Sequence, residues 1–145
     1  MVKNPNAMRK SSISIDRKSY QKMVEHLIYL LPEEGCGLLG GRDGYISEVI
    51  PVENRLHSPV RYAMDPAMQI KGMLSLEAQN QELIGFYHSH PEGRAFPSDT
   101  DVAEATYPDE LYLIIALNSD AVSEVRGFSI RDGEITEVKI NIESA

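Results

Sequence analysis

With 145 residues, 42% of them hydrophobic and 25% charged, the chain has the length of one domain with a buried core, and its composition excludes disordered and fibrous classes. A net charge of −8 repels phosphate backbones and argues against a nucleic-acid partner. The lone cysteine, Cys36, rules out an intrachain disulfide and fits a reducing cytoplasm; no stretch reaches the roughly 18–20 apolar residues of a membrane span, and MVKNPNAMRKSS lacks a signal peptide's apolar core.

In chain order, residues 1–10 are polar, carry an Asn-Pro-Asn turn signal and read as a flexible lead-in to a single domain over 11–145. A short strand is predicted over Ser12–Ile15. Tyr20, Met23, Val24, Leu27, Leu30 and Leu31 then recur at helical spacing, with Asp16 as N-cap and Pro32 as the stop. EEGCGLLGG and YISEVIPV, joined by Asp43-Gly44, form a hairpin of two antiparallel strands. After a loop from Glu53 to Met64, Asp65-Pro66 opens a second helix whose predicted apolar stripe is Ile70, Met73, Leu74 and Ala78. LIGFYH is a strand ending at two histidines, PEGRAFP is loop, and Ser98 to about Thr106 is a short third helix. LYLIIAL reads as a buried central strand, and two more strands flank Asp132-Gly133.

Residues two apart on a strand point to one side, so His88 and His90 can offer imidazole nitrogens to a single point. Catalytic zinc takes three protein ligands and keeps a position for water, and the loop turned by Pro91, Gly93 and Pro97 can bring Asp101 to the pair. Iron, manganese and copper accept the same donors, so the ligands alone do not select the metal. Taken separately, HxH occurs by chance in strands, and Ser98 with Asp101 has the spacing of a capping box; within 14 residues the two halves together favour a metal site.

The segment HSHPEGRAFPSDTD resembles the HxHPx(n)SxxD signature of the JAMM, or MPN+, metalloproteases. Pro32-Glu33-Glu34-Gly35-Cys36-Gly37-Leu38-Leu39-Gly40 is similar to the family's P-x-E-x-C-G-L-L-x-G stretch, with Gly35 where many relatives have alanine. The resemblance covers nearly the whole chain. It implies a mixed, largely antiparallel curved sheet flanked by helices, with layering like that of cytidine deaminases. It also implies one Zn²⁺ with a catalytic water held by His88, His90 and Asp101, Glu34 as proton carrier, and Ser98 as oxyanion donor besides its capping role. The implied substrate is the amide bond at the Gly-Gly-like tail of a ubiquitin-like or sulfur-carrier protein, with release of cysteine or of an isopeptide-linked partner. The chain is too short for the insertions with which eukaryotic members grip ubiquitin.

In that mechanism the metal lowers the pKa of its water toward roughly 7, and an ionised Glu34 takes the proton and passes it to the departing amine. Cys36 is expected to be a packed thiol, and His26 and His57 to face solvent. Three other readings are weaker. A non-catalytic scaffold of the same fold generally lacks part of this residue set. A Cys36 thiol protease lacks a helix N-terminus or cation to activate the thiolate. A zinc deaminase needs HxE and PCxxC elements that are absent from the sequence.

Overall fold

In a computed structural model describing residues 12–144, local sequence signals set most element ends. The lead-in expected over residues 1–10 lies outside the described residues. The elements are β1 (Ser12–Ile15), α1 (Arg17–Tyr29), β2 (Cys36–Arg42), β3 (Tyr45–Val52), α2 (Pro66–Ala78), β4 (Glu82–His90), α3 (Asp99–Glu104), β5 (Leu111–Asn118), β6 (Ala121–Arg131) and β7 (Glu134–Ile142). Asp16 caps α1 by accepting the Ser19 N–H at 2.7 Å, and Asp65 caps α2 by accepting from Met68 at 2.9 Å. The β2–β3 and β6–β7 hairpins turn on Asp-Gly with positive φ at each centre, 52° and 74° at Asp43-Gly44 and 51° and 79° at Asp132-Gly133. Such turns match the twist of the strands they join.

The expected curved sheet goes further and closes, in the order β1-β3-β2-β4-β5-β6-β7. β1 completes the ring by pairing in parallel with both β3 and β7. β4 and β5 are also parallel, while β2–β3, β2–β4, β5–β6 and β6–β7 are antiparallel. Register shifts at Gly40/Gly41, Leu39/Gly40 and Ala116/Leu117 interrupt the ladders, and such bulges add the twist and bend that closure requires.

The central strand β5 divides the interior. Leu111, Leu113, Ile115 and Leu117 enter one core with Met23 and Leu27 of α1, whereas Tyr112, Ile114 and Ala116 enter a second with Phe86 and Phe128, against which Met73 and Val102 of α2 and α3 pack. His88 shares its side of β4 with Phe86, so the end of β4 presents its histidines on the α2 and α3 side of the sheet. There His88 lies between Cys36 of β2 and Ile114 of β5.

The predicted stripe of α2 needs correction. Its buried residues are Gly72 and Leu76, while Ile70 and Leu74 are 59% and 60% exposed and Ala78 also faces solvent. A Cβ on Gly72 would stand 2.7 Å from Leu38 Cδ1, so glycine lets the helix seat on the sheet there and turns the packed face away from Ile70 and Leu74. The two faces should separate in denaturant unfolding. Leu76→Ala is expected to cost about 2–5 kcal/mol, and Leu74→Ala to stay within about 0.5 kcal/mol of the parent.

Candidate metal centre

Three donor atoms meet where β4 ends and α3 begins. His88 Nε2 lies 3.2 Å from His90 Nε2 and 3.2 Å from Asp101 Oδ2, and His90 Nε2 lies 3.1 Å from the same oxygen. The backbone placement follows from the sequence pattern: strand alternation aligns the histidines, and the loop 91–97 returns the chain to a helix whose first turn carries Asp101. That helix start is a capping box. Ser98 Oγ accepts the Asp101 N–H at 3.0 Å, and Asp101 Oδ2 accepts the Ser98 N–H at 2.9 Å.

The protonation pattern shows what the centre accommodates. His90 Nδ1 is 2.7 Å from the Arg94 carbonyl, which can only accept, so the ring's proton sits on Nδ1 and Nε2 of the neutral imidazole carries a lone pair. That lone pair confronts a carboxylate oxygen at 3.1 Å, an arrangement that needs a proton or a cation between them. Donors placed tetrahedrally about 2.0–2.1 Å from one ion stand about 3.3 Å apart, close to the spacing here. His88, His90 and Asp101 therefore fit a metal ion.

Burial pushes the His88 pKa down, favouring the neutral imidazole. His90 is pulled down by burial but raised overall through Asp101 and the Arg94 carbonyl. Asp101 is held far below the carboxylate range despite burial, because both histidines and the Ser98 N–H stabilise its charge. The Tyr62 ring stacks on the His88 ring at 4.5 Å between centroids.

Glu34 lies in the turn just before β2 and not on the strand itself. It is buried, and its Oε1 has no hydrogen-bond partner among the described residues. Its backbone is tied down from several directions. Glu34 N–H donates to the Ser58 carbonyl at 2.8 Å, the Asn54 side chain donates to the Glu34 carbonyl at 3.0 Å, and Ser89 Oγ accepts the Gly35 N–H at 2.9 Å. Buried Asn54 also bonds the Arg61 carbonyl and the N–H groups of Leu56 and Ala63, fixing the loop that carries Tyr62. Glu34, His90 and Ser98 together line a groove of about 1000 Å³, with Pro32, Val60 and Gly93 on its walls.

The remaining sequence candidates sort clearly. Cys36 is buried, donates to the Val52 carbonyl at 3.4 Å and has its pKa pushed up to about 12 by burial and by Glu34, which is the inert packed thiol expected. His57 is exposed as expected, between Glu33 at 3.0 Å and Glu53 at 3.3 Å. His26 is not solvent-facing: it is half-buried, with Nδ1 2.8 Å from the Tyr87 hydroxyl, because Tyr87 reaches across the core to α1. Asn54, Tyr62, Ser89 and Arg94 escape sequence reasoning because they act through backbone groups or ring stacking, which leave no spacing pattern.

Known proteins resemble the chain in sequence and in fold. The family model of prokaryotic homologues of the JAB domain matches residues 16–130. The CysO-cysteine peptidase of Mycobacterium tuberculosis is 35% identical over 122 residues, covering 83% of this chain and 84% of that protein. The probable TtuB-protein conjugate cleaving protease of Thermus thermophilus is 36% identical over 121 residues, 83% of this chain and 77% of that protein. A Desulfitobacterium hafniense protein solved in solution superposes with a TM-score of 0.83 at 33% identity, covering 92% of this chain and 94% of the other. The chain therefore belongs to the family of prokaryotic JAB-domain homologues, as its JAMM-like motif implied.

Proposed function

We propose that this protein is a zinc-dependent peptidase and isopeptidase that hydrolyses the amide bond after the Gly-Gly-like C-terminal tail of a ubiquitin-like or sulfur-carrier protein, releasing cysteine or an isopeptide-linked partner. The observation that carries the reading is the convergence of three metal-type donors, one of which, His90, lines the same groove as a buried carboxylate with an unpaired oxygen, Glu34. The relatives whose names specify CysO-cysteine and TtuB conjugates support the substrate class. A reducing cytoplasm, where Cys36 stays a thiol, suits the same reading.

His88, His90 and Asp101 would hold the zinc, which supplies an activated water and polarises the amide carbonyl when bound. Glu34 is the proton carrier: its backbone is fixed by Ser58, Asn54 and Ser89, and its free Oε1 is available to take a proton and return it to the departing amine. The Ser98 hydroxyl accepts from Asp101 N–H and keeps its own proton to donate toward the oxygen on which charge develops. Nothing comes within 4 Å of a side-chain position at Gly93 on the groove wall, an openness that suits a glycine-ended tail.

Glu34 also ties function to stability. Burial raises its pKa from 4.5 to about 7 in the metal-free protein, with Asp101 adding to the effect and His90 opposing it. Between those values the folded chain holds a proton that the unfolded chain has lost, so Glu34's contribution to stability falls as pH rises through this window. The full penalty corresponds to about 3 kcal/mol, nearer 2 kcal/mol with partial solvation by the groove.

The direct test is mass spectrometry of a carrier protein fused through its tail to cysteine, or linked to a lysine, after incubation with the enzyme. Elemental analysis is expected to give about one zinc per chain, and Glu34→Gln to keep that zinc while losing hydrolysis; full activity in this variant would remove Glu34 from the reaction. In metal-free protein, Glu34→Gln should unfold at higher temperature than the parent at pH 8, with the gain vanishing by pH 4. Ser98→Ala is expected to lower kcat on the order of 10²-fold, beyond the roughly 1 kcal/mol of stability lost with its cap.

A further inference from the structure

The loop 91–97 meets His90 through the Arg94 carbonyl, and Gly93, just before that carbonyl, has φ 93° and nothing within 4 Å of its missing side chain. What fixes the carbonyl lies two strands away. His90 of β4 pairs with Ala116 of β5, and Ala116 pairs with Glu124 of β6, so the three residues form one row across the sheet. Over that row the loop arches back. Arg94 Nε donates to Glu124 Oε1 at 3.0 Å, Arg94 Nη2 donates to Oε2 at 3.0 Å, and the Ala95 N–H donates to Oε1 at 3.0 Å.

Thus one carboxylate grips the peptide unit joining Arg94 and Ala95 from its N–H side, while the carbonyl of the same unit accepts from His90. Phe96 seats the next residue, edge-on against Phe128 at 5.4 Å with the Arg126 guanidinium over both rings. The charge on Glu124 is secure, because Arg94 and the Ala95 N–H hold its pKa down to about 2. An exposed ion pair of this kind adds little to stability, and the Arg94 side chain is 75% exposed. Its geometry instead matches the outer shell of a metal ligand, in which a partner on the second ring nitrogen fixes tautomer and orientation.

We propose that Glu124 is a positioning residue of the metal centre: through Arg94 and the Ala95 N–H it holds the Arg94 carbonyl on His90 Nδ1, keeping His90 Nε2 aimed at the ion. The proposal rests on the reading of His88, His90 and Asp101 as metal ligands. No carboxylate contact to the imidazole is needed, since the peptide unit relays the constraint.

The test is the affinity of the full chain for Co²⁺ and Zn²⁺ by chelator competition, together with the visible absorption of the Co²⁺ form. Glu124→Ala is expected to weaken binding about tenfold or more and to alter the Co²⁺ spectrum, since outer-shell losses commonly cost 10–100-fold. Glu124→Gln, which keeps an acceptor for Ala95, should fall between it and the parent. Arg94→Ala retains the backbone carbonyl but should also weaken binding, and the double variant should be no worse than Glu124→Ala alone, because both act through one peptide unit. Asp109→Ala, which breaks the exposed Arg131–Asp109 pair away from the loop, should leave affinity unchanged. Metal-free melting temperatures of Glu124→Gln and Arg94→Ala close to the parent's would separate positioning from folding. Parent-like affinity and spectra in Glu124→Ala and Arg94→Ala would overturn the proposal, whereas a parent chain that binds neither ion would overturn the metal-site reading itself.

Discussion

A single oxygen, Asp101 Oδ2, ties the local structure of the site to its chemistry. It accepts the Ser98 N–H that starts α3 and also stands within 3.2 Å of both imidazole nitrogens. The helix start and the donor cluster therefore cannot be varied separately. A carboxylate moved to suit the cap would leave the histidines, and one moved to suit the histidines would leave an N–H group at the helix end unpaired. β4 ends where its histidines meet that oxygen, and the loop 91–97 spans the gap between them and α3.

The price of the arrangement falls on Glu34. Its backbone is what the neighbours grip: the Asn54 and Ser89 side chains and the Ser58 carbonyl fix the chain at Glu34 and Gly35, while the Oε1 of its carboxylate is left unsatisfied. An unsatisfied buried acid destabilises a fold, and here the burial that does so also lifts its pKa toward neutrality, where a group can both accept and release a proton. The scaffold tolerates the strain because two cores, one on each side of β5, supply the burial.

Much of this was legible in the sequence where the signal is local. Asp16 and Asp65 as caps, the two Asp-Gly turns, and the alternation of His88 with His90 are read from neighbouring residues, and each element formed near its expected place. The joining of Ser98 with Asp101 in a capping box was read from spacing as well. What escaped depends on distant partners. Closure of the sheet requires β1 to find β7, the seating of α2 depends on a glycine meeting Leu38, and the burial of His26 depends on Tyr87 from β4. Glu34 was found by resemblance to a motif, but its raised pKa was not, since proximity in sequence says nothing of desolvation.

The ring closure has a kinetic side. Its β1–β7 ladder pairs Ser12 with Lys139, among the longest sequence separations in the fold, so β1 gains one of its two partner strands only once nearly the whole chain is available. Cys36 to His88 and His88 to Ile114, the pairings that frame the metal centre, span far shorter loops and carry less entropic cost. The pairings around the site thus close shorter loops than the β1–β7 ladder, the long-range contact that completes the ring.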